Sequence, residues 1–196
     1  MLRVRIIPGA LRDFYKAQLF MELVVLVNEN DQDIGRAEKD AVHTTTTRLH
    51  RGFSLFLFNQ TWEVMLTQRS RWKKAFPDIW TNTVCGHPRP DETAVAAAQR
   101  RLKEELGMVA TTIEEVAPYR YQFTDQNGIM ENEICPILVG RSYAYPKPNL
   151  NEVQDWKWVP WRVFLQEIEG TPESFSPWCR EEAKIIEDKL QILKGL

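Results

Sequence analysis

Residues 86–108 constrain the fold of this chain more than any other part of the sequence. Apolar residues recur along this segment at the three- and four-residue spacing of one helix face, namely Val95, Ala98, Leu102 and Leu106. Asp91 precedes them as a suitable N-terminal cap, and Gly107 follows them where a glycine commonly ends a helix. The segment therefore predicts an amphipathic helix between Asp91 and Gly107.

Strand-like runs lie on both sides of this helix. Leu23–Val27 is a short apolar run suited to a buried strand, and residues 52–59 and 62–68 flank a polar turn and predict a hairpin. After the helix, Asn127-Gly128 is a type I′ turn signal between alternating aromatic residues at 119–123 and a returning strand at 129–140. Two antiparallel hairpins are therefore expected.

The rest of the chain continues this mixture of strands and helices. We predict an extended linker at 145–148, a short strand at 156–159, a helical turn or two at 163–168 and a terminal amphipathic helix at 177–193. With 43% hydrophobic and 27% charged residues, the 196 residues are close to the globular average. We expect one α/β domain at 21–196, built as a sandwich, and a separate N-terminal extension of unknown role at 1–20.

Charge and composition exclude several classes of protein. The formal net charge is -2, so the basic excess typical of nucleic-acid binders is absent and an anionic ligand must be met by local cations. The longest apolar runs are far shorter than the ~18 to 20 residues that cross a bilayer, and 1–20 lacks the apolar centre of a secretory signal. Three cysteines without a CxxC pair indicate free thiols in a reducing compartment. We therefore expect a cytoplasmic protein that binds neither membranes nor nucleic acid.

The spacing within 86–108 resembles the Nudix box throughout. That box has a glycine, five residues, a glutamate, seven residues and then an Arg-Glu-apolar-any-Glu-Glu-any-Gly-apolar run, and here Arg101 stands where a glutamate is expected. Arg101, Glu104 and Glu105 share one side of the helix, where a Nudix hydrolase presents three carboxylates to several Mg²⁺ ions. This chain has two carboxylates and a cation, so Glu105 can hold one Mg²⁺ on a diphosphate and Arg101 can contact the diphosphate. The alternative is an ordinary ion pair between Arg101 and Glu105.

Four further segments are similar to the type I isopentenyl-diphosphate isomerases, at residues 47–50, 80–87, 131–133 and 175–178. The likeness covers about residues 21–178. It implies a single-domain Nudix-type α/β/α sandwich around a mixed sheet and interconversion of isopentenyl and dimethylallyl diphosphate, a small-molecule substrate pair. It also implies one metal bound by three histidines and two glutamates, besides the Mg²⁺ on the diphosphate.

The histidines and two glutamates fit the metal site that this resemblance implies. The chain has three histidines in all, His43, His50 and His87, and each falls on one of the family's metal positions. Glu131 and Glu133 are two residues apart on a predicted strand, so both carboxylates point to one face. Imidazole and carboxylate ligands suit Mn²⁺, Zn²⁺ or Mg²⁺, and the sequence leaves the choice open.

The resemblance also implies the catalytic groups. Moving a double bond needs one group that adds a proton and another that removes one, and Cys85 and Glu133 occupy those positions in the family. Tyr121 corresponds to the tyrosine that hydrogen-bonds to the glutamate. Trp178 corresponds to the aromatic side chain that stabilises a tertiary cation through its π face. We interpret Cys135 and Cys179 as buried apolar residues, Trp80 as a possible pocket wall, and Trp72, Trp156, Trp158 and Trp161 as core or surface cover.

Four basic residues match the family's diphosphate-binding positions: Lys39, Arg69, Lys73 and Arg101. Arg69 can make a bidentate contact, whereas the lysines act as point charges. Lys74 and Arg71 are interpreted as solvated surface charges. No dinucleotide-type glycine pattern is present, so we expect no organic cofactor.

Two other functions remain open on the sequence. The first is a Nudix pyrophosphohydrolase acting on a nucleoside diphosphate derivative, although Arg101, Cys85 and the five-ligand set count against it. The second is a catalytically silent binding module that keeps the metal for stability. The sequence also allows either a monomer or a homodimer.

Overall fold

The computed structural model describes residues 22–194 of the chain, and its side chains through residue 189. The predicted extension at 1–20 lies outside the described residues. Within them the strands are β1 (Leu23–Val27), β2 (Asp33–Glu38), β3 (His50–Arg51), β4 (Phe53–Phe58), β5 (Glu63–Arg69), β6 (Trp80–Thr81), β7 (Val84–Gly86), β8 (Thr112–Ala117), β9 (Arg120–Thr124), β10 (Met130–Ile134), β11 (Ile137–Arg141) and β12 (Val153–Pro160). The helices are α1 (Lys39–Val42), α2 (Ala94–Leu106), α3 (Trp161–Gly170) and α4 (Pro177–Lys194), with a 3-10 turn at Pro172–Ser174.

The strands form two mixed sheets, and the second of them is the mixed sheet that we expected at the centre of the sandwich. One sheet has the order β2-β1-β3-β10-β9, and the other has the order β12-β5-β4-β11-β8, with β6 paired to β5 and β7 paired to β4. Each sheet contains one parallel pair, β3 with β10 and β4 with β11. The parallel neighbours are far apart in the chain, so local sequence patterns could not reveal that there are two sheets.

The predicted strand at 129–140 is wrong as one element, because it is divided between the two sheets. β10 belongs to the first sheet and β11 to the second, with Cys135 and Pro136 between them. Proline has no N–H for a ladder, which favours a break at this position. The carbonyl of Ile134 accepts from the Gly52 amide, and the carbonyl of Pro136 accepts from the Ser54 amide. The strand thus changes sheets while staying beside the same neighbouring segment.

Helix α2 is confirmed, but its predicted cap is wrong. The N-cap is Thr93, whose side-chain oxygen accepts from the Ala96 amide at 3.2 Å. Asp91 lies in the preceding turn with a φ of 66°, so its side chain does not cap the helix. At the other end Gly107 has a left-handed φ of 63° and its N–H bonds back to the carbonyls of Leu102 and Lys103, as predicted for a glycine stop.

The two predicted hairpins are present. β4 and β5 pair antiparallel around residues 59–62, and β9 pairs antiparallel with β10. The second turn is not type I′, since of its two central residues only Gly128 has a positive φ, at 79°. Its amide donates to the Asp125 carbonyl at 3.0 Å, which is the pattern of a longer turn that ends in a left-handed glycine. The predicted strand at 156–159 and helices at 163–168 and 177–193 are confirmed with wider bounds, as β12, α3 and α4.

The core explains why the chain forms a sandwich. Side chains of β4 alternate between two apolar clusters, because successive residues of a strand point to opposite faces. Phe53, Leu55 and Leu57 pack with the buried face of α2, whereas Phe56 and Phe58 pack with α3 and α4. The second sheet is therefore covered on both faces, and the expected α/β/α sandwich is confirmed. None of the helices within residues 22–194 has the apolar length that a bilayer crossing requires.

We predict that Thr93→Ala destabilises the protein by about 1 kcal/mol, because the Ala96 amide loses its side-chain acceptor. Chemical denaturation of the two proteins measures the difference in the free energy of unfolding. Thr93→Ser keeps the hydroxyl and should remain within a few tenths of a kcal/mol of the parent chain. Equal losses in both variants would contradict the capping role of Thr93.

Candidate active site

Five side chains from four parts of the chain meet in one cluster: His43, His50, His87, Glu131 and Glu133. His43 follows α1, His50 lies on β3, His87 follows β7, and the two glutamates lie on β10. Each residue offers one nitrogen or oxygen atom, and all five of these atoms lie within 4.8 Å of one another. The structure thus brings together the five ligands predicted for the three-histidine, two-glutamate site, whereas Glu105, the sixth predicted metal ligand, is not part of this cluster.

The strand pairing explains how these ligands converge. In the parallel pair of β3 and β10, Glu133 lies opposite His50. The two-residue period then brings Glu131 to the same face and turns Asn132 to the other, where its amide donates to the Thr47 carbonyl at 2.9 Å. The prediction that both glutamates share a face is therefore confirmed.

Backbone carbonyls orient two of the imidazoles. Nδ1 of His43 lies 3.0 Å from the Lys39 carbonyl oxygen, and Nδ1 of His50 lies 2.8 Å from that of Arg48. A carbonyl can only accept, so Nδ1 carries the proton in both rings and Nε2 has a free lone pair directed at the cluster. This is the tautomer that a metal ligand requires.

Gly52 allows Glu133 to reach the cluster. A Cβ atom at residue 52 would overlap the Glu133 carboxylate, so any larger residue would push it away. Sequence reasoning placed Gly52 at the start of a strand and did not recognise this role. A single glycine gives no local sign that a distant side chain lies against it.

The cluster is buried and its polar groups are incompletely paired. His50 is fully buried, and His43 and Glu131 are less than a tenth exposed. Nε2 of His43 and Oε2 of Glu131 are 2.9 Å apart but not in hydrogen-bond geometry, and Nε2 of His50 also has no hydrogen-bond partner. Buried polar atoms rarely remain unpaired, so an ion that accepts these lone pairs fits the site.

Two residues of the cluster, His87 and Glu133, are held in protonation states that suit a metal, whereas the shift at His43 favours its protonated form. Burial lowers the pKa of His87 to about 4, which keeps its ring neutral. Burial would raise the pKa of Glu133, but the neighbouring His87 and His50 outweigh it and hold that pKa well below its usual range. For His43, burial lowers the pKa while the Glu131 carboxylate raises it, and the net change is a rise. Neutral imidazoles and ionised carboxylates are the forms that bind metal.

A cleft of about 250 Å³ opens beside this cluster. All four predicted catalytic residues line it: Cys85, Glu133, Tyr121 and Trp178. Three predicted cations, Lys39, Arg69 and Lys73, line it as well. The structure thus places the two residues predicted to transfer protons, the two predicted aromatic residues and three of the four predicted cations around one cavity.

The aromatic part of the cleft is closely packed. Trp178 is 1% exposed and stacks on Tyr121, with ring centroids 5.6 Å apart and planes 19° apart. Tyr121 lies opposite Glu133 on the neighbouring strand. The expected hydrogen bond between their side chains is not formed in the described structure, because the phenol ring stacks on Trp178 while the carboxylate is drawn to His87 and His50. Burial raises the pKa of Tyr121 well above its usual value, so the phenol stays protonated.

The cysteines differ in access as the sequence analysis expected. Cys135 and Cys179 are fully buried, whereas Cys85 is partly exposed in the cleft. The Cys85 thiol donates to the side-chain oxygen of Asn82 at 3.1 Å. Burial and then the Glu182 carboxylate raise the pKa of Cys85 to about 12. The resting group is therefore a thiol.

The cleft cations already have partners. Lys39 pairs with Glu22 at 2.6 Å, and Lys73 pairs with Glu152. Nε and Nη2 of Arg69 donate to the backbone carbonyls of Phe76 and Ala75 at 2.9 and 2.8 Å. These contacts fix the positions of the three cations, and the guanidinium carbon of Arg69 also lies 5.5 Å from the centroid of the Trp178 ring.

Arg101 lies beside the cleft, in a set of four carboxylates. Its guanidinium is 2.6 Å from Glu105, and it also pairs with Glu104 at 3.1 Å, Glu152 at 3.2 Å and Glu22 at 3.5 Å. Burial opposes the charged form, but the carboxylates, Glu105 foremost, raise the pKa of Arg101 overall. Binding of Mg²⁺ by Glu105 and of diphosphate by Arg101 remain predictions, and each requires this ion pair to open.

Three residues of the cleft region depart from the sequence interpretation. Lys74 lines the cleft, and its amine donates to the Asp40 carbonyl at 2.6 Å, so it is not simply a solvated charge. Trp72 also lines the cleft, although it is 76% exposed. Trp80 is not a wall of this cleft, because its ring faces Lys157 at 4.9 Å and lines a separate surface cavity.

Comparison with known proteins identifies the fold. The family described as NUDIX domain matches residues 48–179. The crystal structure of a Deinococcus radiodurans protein superposes with a TM-score of 0.67 at 23% identity, covering 83% of this chain and 98% of that one. The MutT protein of Methanosarcina mazei superposes with a TM-score of 0.58 at 21% identity, covering 72% and 94%. Fold and site together define a Nudix protein with a candidate metal centre.

Relatives of higher sequence identity show which family of Nudix proteins this is. The isopentenyl-diphosphate Delta-isomerase of Klebsiella pneumoniae subsp. pneumoniae is 45% identical over 164 residues, which cover 83% of this chain and 89% of the relative. The enzyme of the same name from Paenarthrobacter aurescens is 46% identical over 158 residues, or 80% and 86% of the two chains. The chain belongs to the isopentenyl-diphosphate Delta-isomerase family of Nudix proteins.

We predict that Mn²⁺ or Zn²⁺ stabilises the metal-free protein, because an ion that binds only the folded chain shifts unfolding by mass action. At a concentration of about 100 Kd the gain is about 2.7 kcal/mol, or roughly 5 to 10 °C in Tm for a chain of this size. Thermal unfolding with and without metal measures the gain.

Glu131→Gln should lose most of this increase in Tm, since the amide is a weaker ligand that carries no charge. Glu104→Gln is the matched control, because Glu104 is also a glutamate on a regular element but lies outside the five-residue cluster. Equal metal-dependent gains in the parent chain and in Glu131→Gln would contradict the assignment of this site.

Proposed function

We propose that this protein interconverts isopentenyl diphosphate and dimethylallyl diphosphate by protonating and deprotonating a five-carbon chain. The observation that carries the proposal is that Cys85 and Glu133 line one cleft together with Trp178, beside the five-residue cluster. The names of the relatives support the same reaction.

The positively charged side chains that line the cleft can bind the diphosphate. Lys39, Arg69 and Lys73 offer positive groups to an anion with about three negative charges. Glu105 would hold a Mg²⁺ ion on the same diphosphate, and Arg101 would contact the anion once released from Glu105. Ion pairs with Glu22 and Glu152 keep these cations ordered before the substrate arrives.

Proton transfer falls to Cys85 and Glu133. One group adds a proton to the terminal alkene carbon, the electron pair of the double bond forms the new C–H bond, and the neighbouring carbon becomes a tertiary cation. The other group then removes a proton from the next carbon, and that C–H electron pair forms the new double bond. The two side chains end with their protonation states exchanged and recover through solvent.

The aromatic rings stabilise the intermediate. An anion in direct contact with the cationic carbon would form a bond to it, whereas a π system attracts the cation by about 0.5 to 2 kcal/mol without forming a bond. Trp178 supplies that π system, and its stacking on Tyr121 keeps it rigid.

The three-histidine, two-glutamate cluster fits Mn²⁺, Zn²⁺ or Mg²⁺, and when bound such an ion supplies positive charge that tunes the proton affinity of Glu133. We further propose that the protein acts in the cytoplasm as a monomer or homodimer, with residues 1–20 as an extension of the 21–196 domain. Free cysteines are consistent with a reducing compartment.

We predict that isopentenyl diphosphate supplied with Mg²⁺ in heavy water is converted to deuterium-labelled dimethylallyl diphosphate. Mass spectrometry of the product measures both the conversion and the label. A complete lack of product and of label would overturn the proposal.

Two controls separate this function from the alternatives. Cys85→Ala should lower turnover by about 10²- to 10⁴-fold while the metal-dependent gain in Tm persists, which a silent binding module would not show. A Nudix pyrophosphohydrolase would release phosphate products from a nucleoside diphosphate sugar. We expect none, since Arg101 replaces a metal-binding carboxylate.

We predict that Trp178→Phe keeps part of the rate and Trp178→Ala keeps little, because only the first retains a π face. A loss of about 2 kcal/mol corresponds to a fall in kcat of roughly 30-fold. Steady-state kinetics of the two variants measure the difference, with Trp80→Ala as a tryptophan control outside the cleft. Equal rates for the two Trp178 variants would remove the role of the π face.

A further inference from the structure

Asn82 connects two residues of the proposed active site. It is fully buried between β6 and β7, and its side-chain oxygen accepts from the Cys85 thiol at 3.1 Å and from the Trp178 indole N–H at 3.3 Å. The Thr81 hydroxyl donates to the same oxygen at 2.9 Å. One amide oxygen thus holds both the proton-transfer thiol and the aromatic ring.

The orientation of this amide follows from its surroundings. Its nitrogen donates to the backbone carbonyls of Leu55 at 3.2 Å and Val84 at 3.3 Å. With the amide reversed, the NH₂ group would face the indole N–H while the oxygen faced two carbonyls, and each of those pairs repels. Asn82 is therefore fixed by two strands of the second sheet and presents an oxygen to the site.

We propose that Asn82 is a positioning residue that fixes the Cys85 thiol and the Trp178 indole relative to each other for proton transfer. This inference rests on the function proposed above. Cys85 belongs to β7 and Trp178 to the start of α4, and the Asn82 oxygen is a hydrogen-bond acceptor that the two side chains share. A misplacement of about 1 Å can cost about 10²-fold in rate.

Three donors compete for the side-chain oxygen of Asn82, and this competition affects how firmly each of them is held. A carbonyl oxygen has two lone pairs, yet three donors point at this one. The thiol is the weakest of the three. Cys85 is therefore aligned by Asn82 but held loosely enough to turn towards a substrate, whereas the indole remains bound.

A second set of hydrogen bonds joins the second sheet to the start of α4. The hydroxyls of Thr81 and Ser176 are 2.8 Å apart, and the Ser176 amide donates to the Trp80 carbonyl at 2.9 Å. These contacts attach the start of α4 to β6 without Asn82. Substitution of Asn82 should therefore disturb alignment more than it disturbs the fold.

The test compares Asn82→Ala with Thr83→Val in the isopentenyl diphosphate assay. Thr83 is also fully buried, and its hydroxyl accepts from the Leu57 amide and donates to the Met65 carbonyl, but it contacts neither Cys85 nor Trp178. We expect Asn82→Ala to lower kcat about 10²-fold with KM within about threefold, because the diphosphate cations are untouched. Thr83→Val should lower Tm without a comparable loss of kcat.

Two further measurements sharpen the test, and the first of them remains decisive if Asn82→Ala folds poorly. Asn82→Asp keeps the accepting oxygen and, as a buried protonated carboxyl, can donate to the Leu55 or Val84 carbonyl in place of the amide, so it should recover at least tenfold of the lost kcat. In a Trp178→Phe chain, which lacks the indole N–H, replacing Asn82 by Ala should cost several-fold less than in the parent chain.

The inference is overturned if Asn82→Ala keeps kcat within threefold of the parent, if Thr83→Val loses as much kcat, or if Asn82→Asp recovers nothing. It is also overturned if the Asn82→Ala loss is the same in the parent and Trp178→Phe chains. Absence of isomerisation in the parent chain would instead defeat the proposed function, so the two failures are distinct.

Discussion

The parallel pairing of β3 with β10 is the constraint on which the rest of the site depends. It sets His50 opposite Glu133, and the strand period then adds Glu131 on the same side. Gly52 must lack a side chain for this pairing to leave room for the Glu133 carboxylate. His43 and His87 approach from α1 and from the loop after β7, so a shift of register by one residue would turn both glutamates away and dissolve the cluster.

Arg101 shows how a Nudix box can be adapted to a different use. Where a hydrolase would add a third carboxylate to hold several metal ions, this chain has a guanidinium that neutralises the carboxylates already there. Glu152 bridges Arg101 and Lys73, and burial, which would raise its pKa, is outweighed by these cations, which lower that pKa to about 2. The acidic face of α2 thus becomes part of a charge network that continues into the cleft.

The cleft combines cationic side chains that can bind a diphosphate with aromatic side chains that can stabilise a carbocation. Lysine and arginine side chains line it and can bind an anion, and the stacked rings of Trp178 and Tyr121 line it together with Cys85. Arg69 belongs to both groups, because its guanidinium carbon lies 5.5 Å from the centroid of the Trp178 ring. Asn82 lies behind this lining and links the thiol and the indole through a single oxygen.

Local spacing in the sequence was enough to predict helix α2 with its glycine stop, both hairpins and the common face of Glu131 and Glu133. The family resemblance added the five residues of the His/Glu cluster and several, but not all, of the residues that line the cleft. Only the tertiary structure decided the division into two sheets at Pro136, the capture of Arg101 by Glu22 and Glu152, the space at Gly52 and the three donors on Asn82. The difference lies in how far apart in the chain the interacting residues are. Periodicity and capping depend on residues within a few positions of each other, whereas pairing, burial and ion pairs depend on neighbours that are distant in the chain and meet only when it folds.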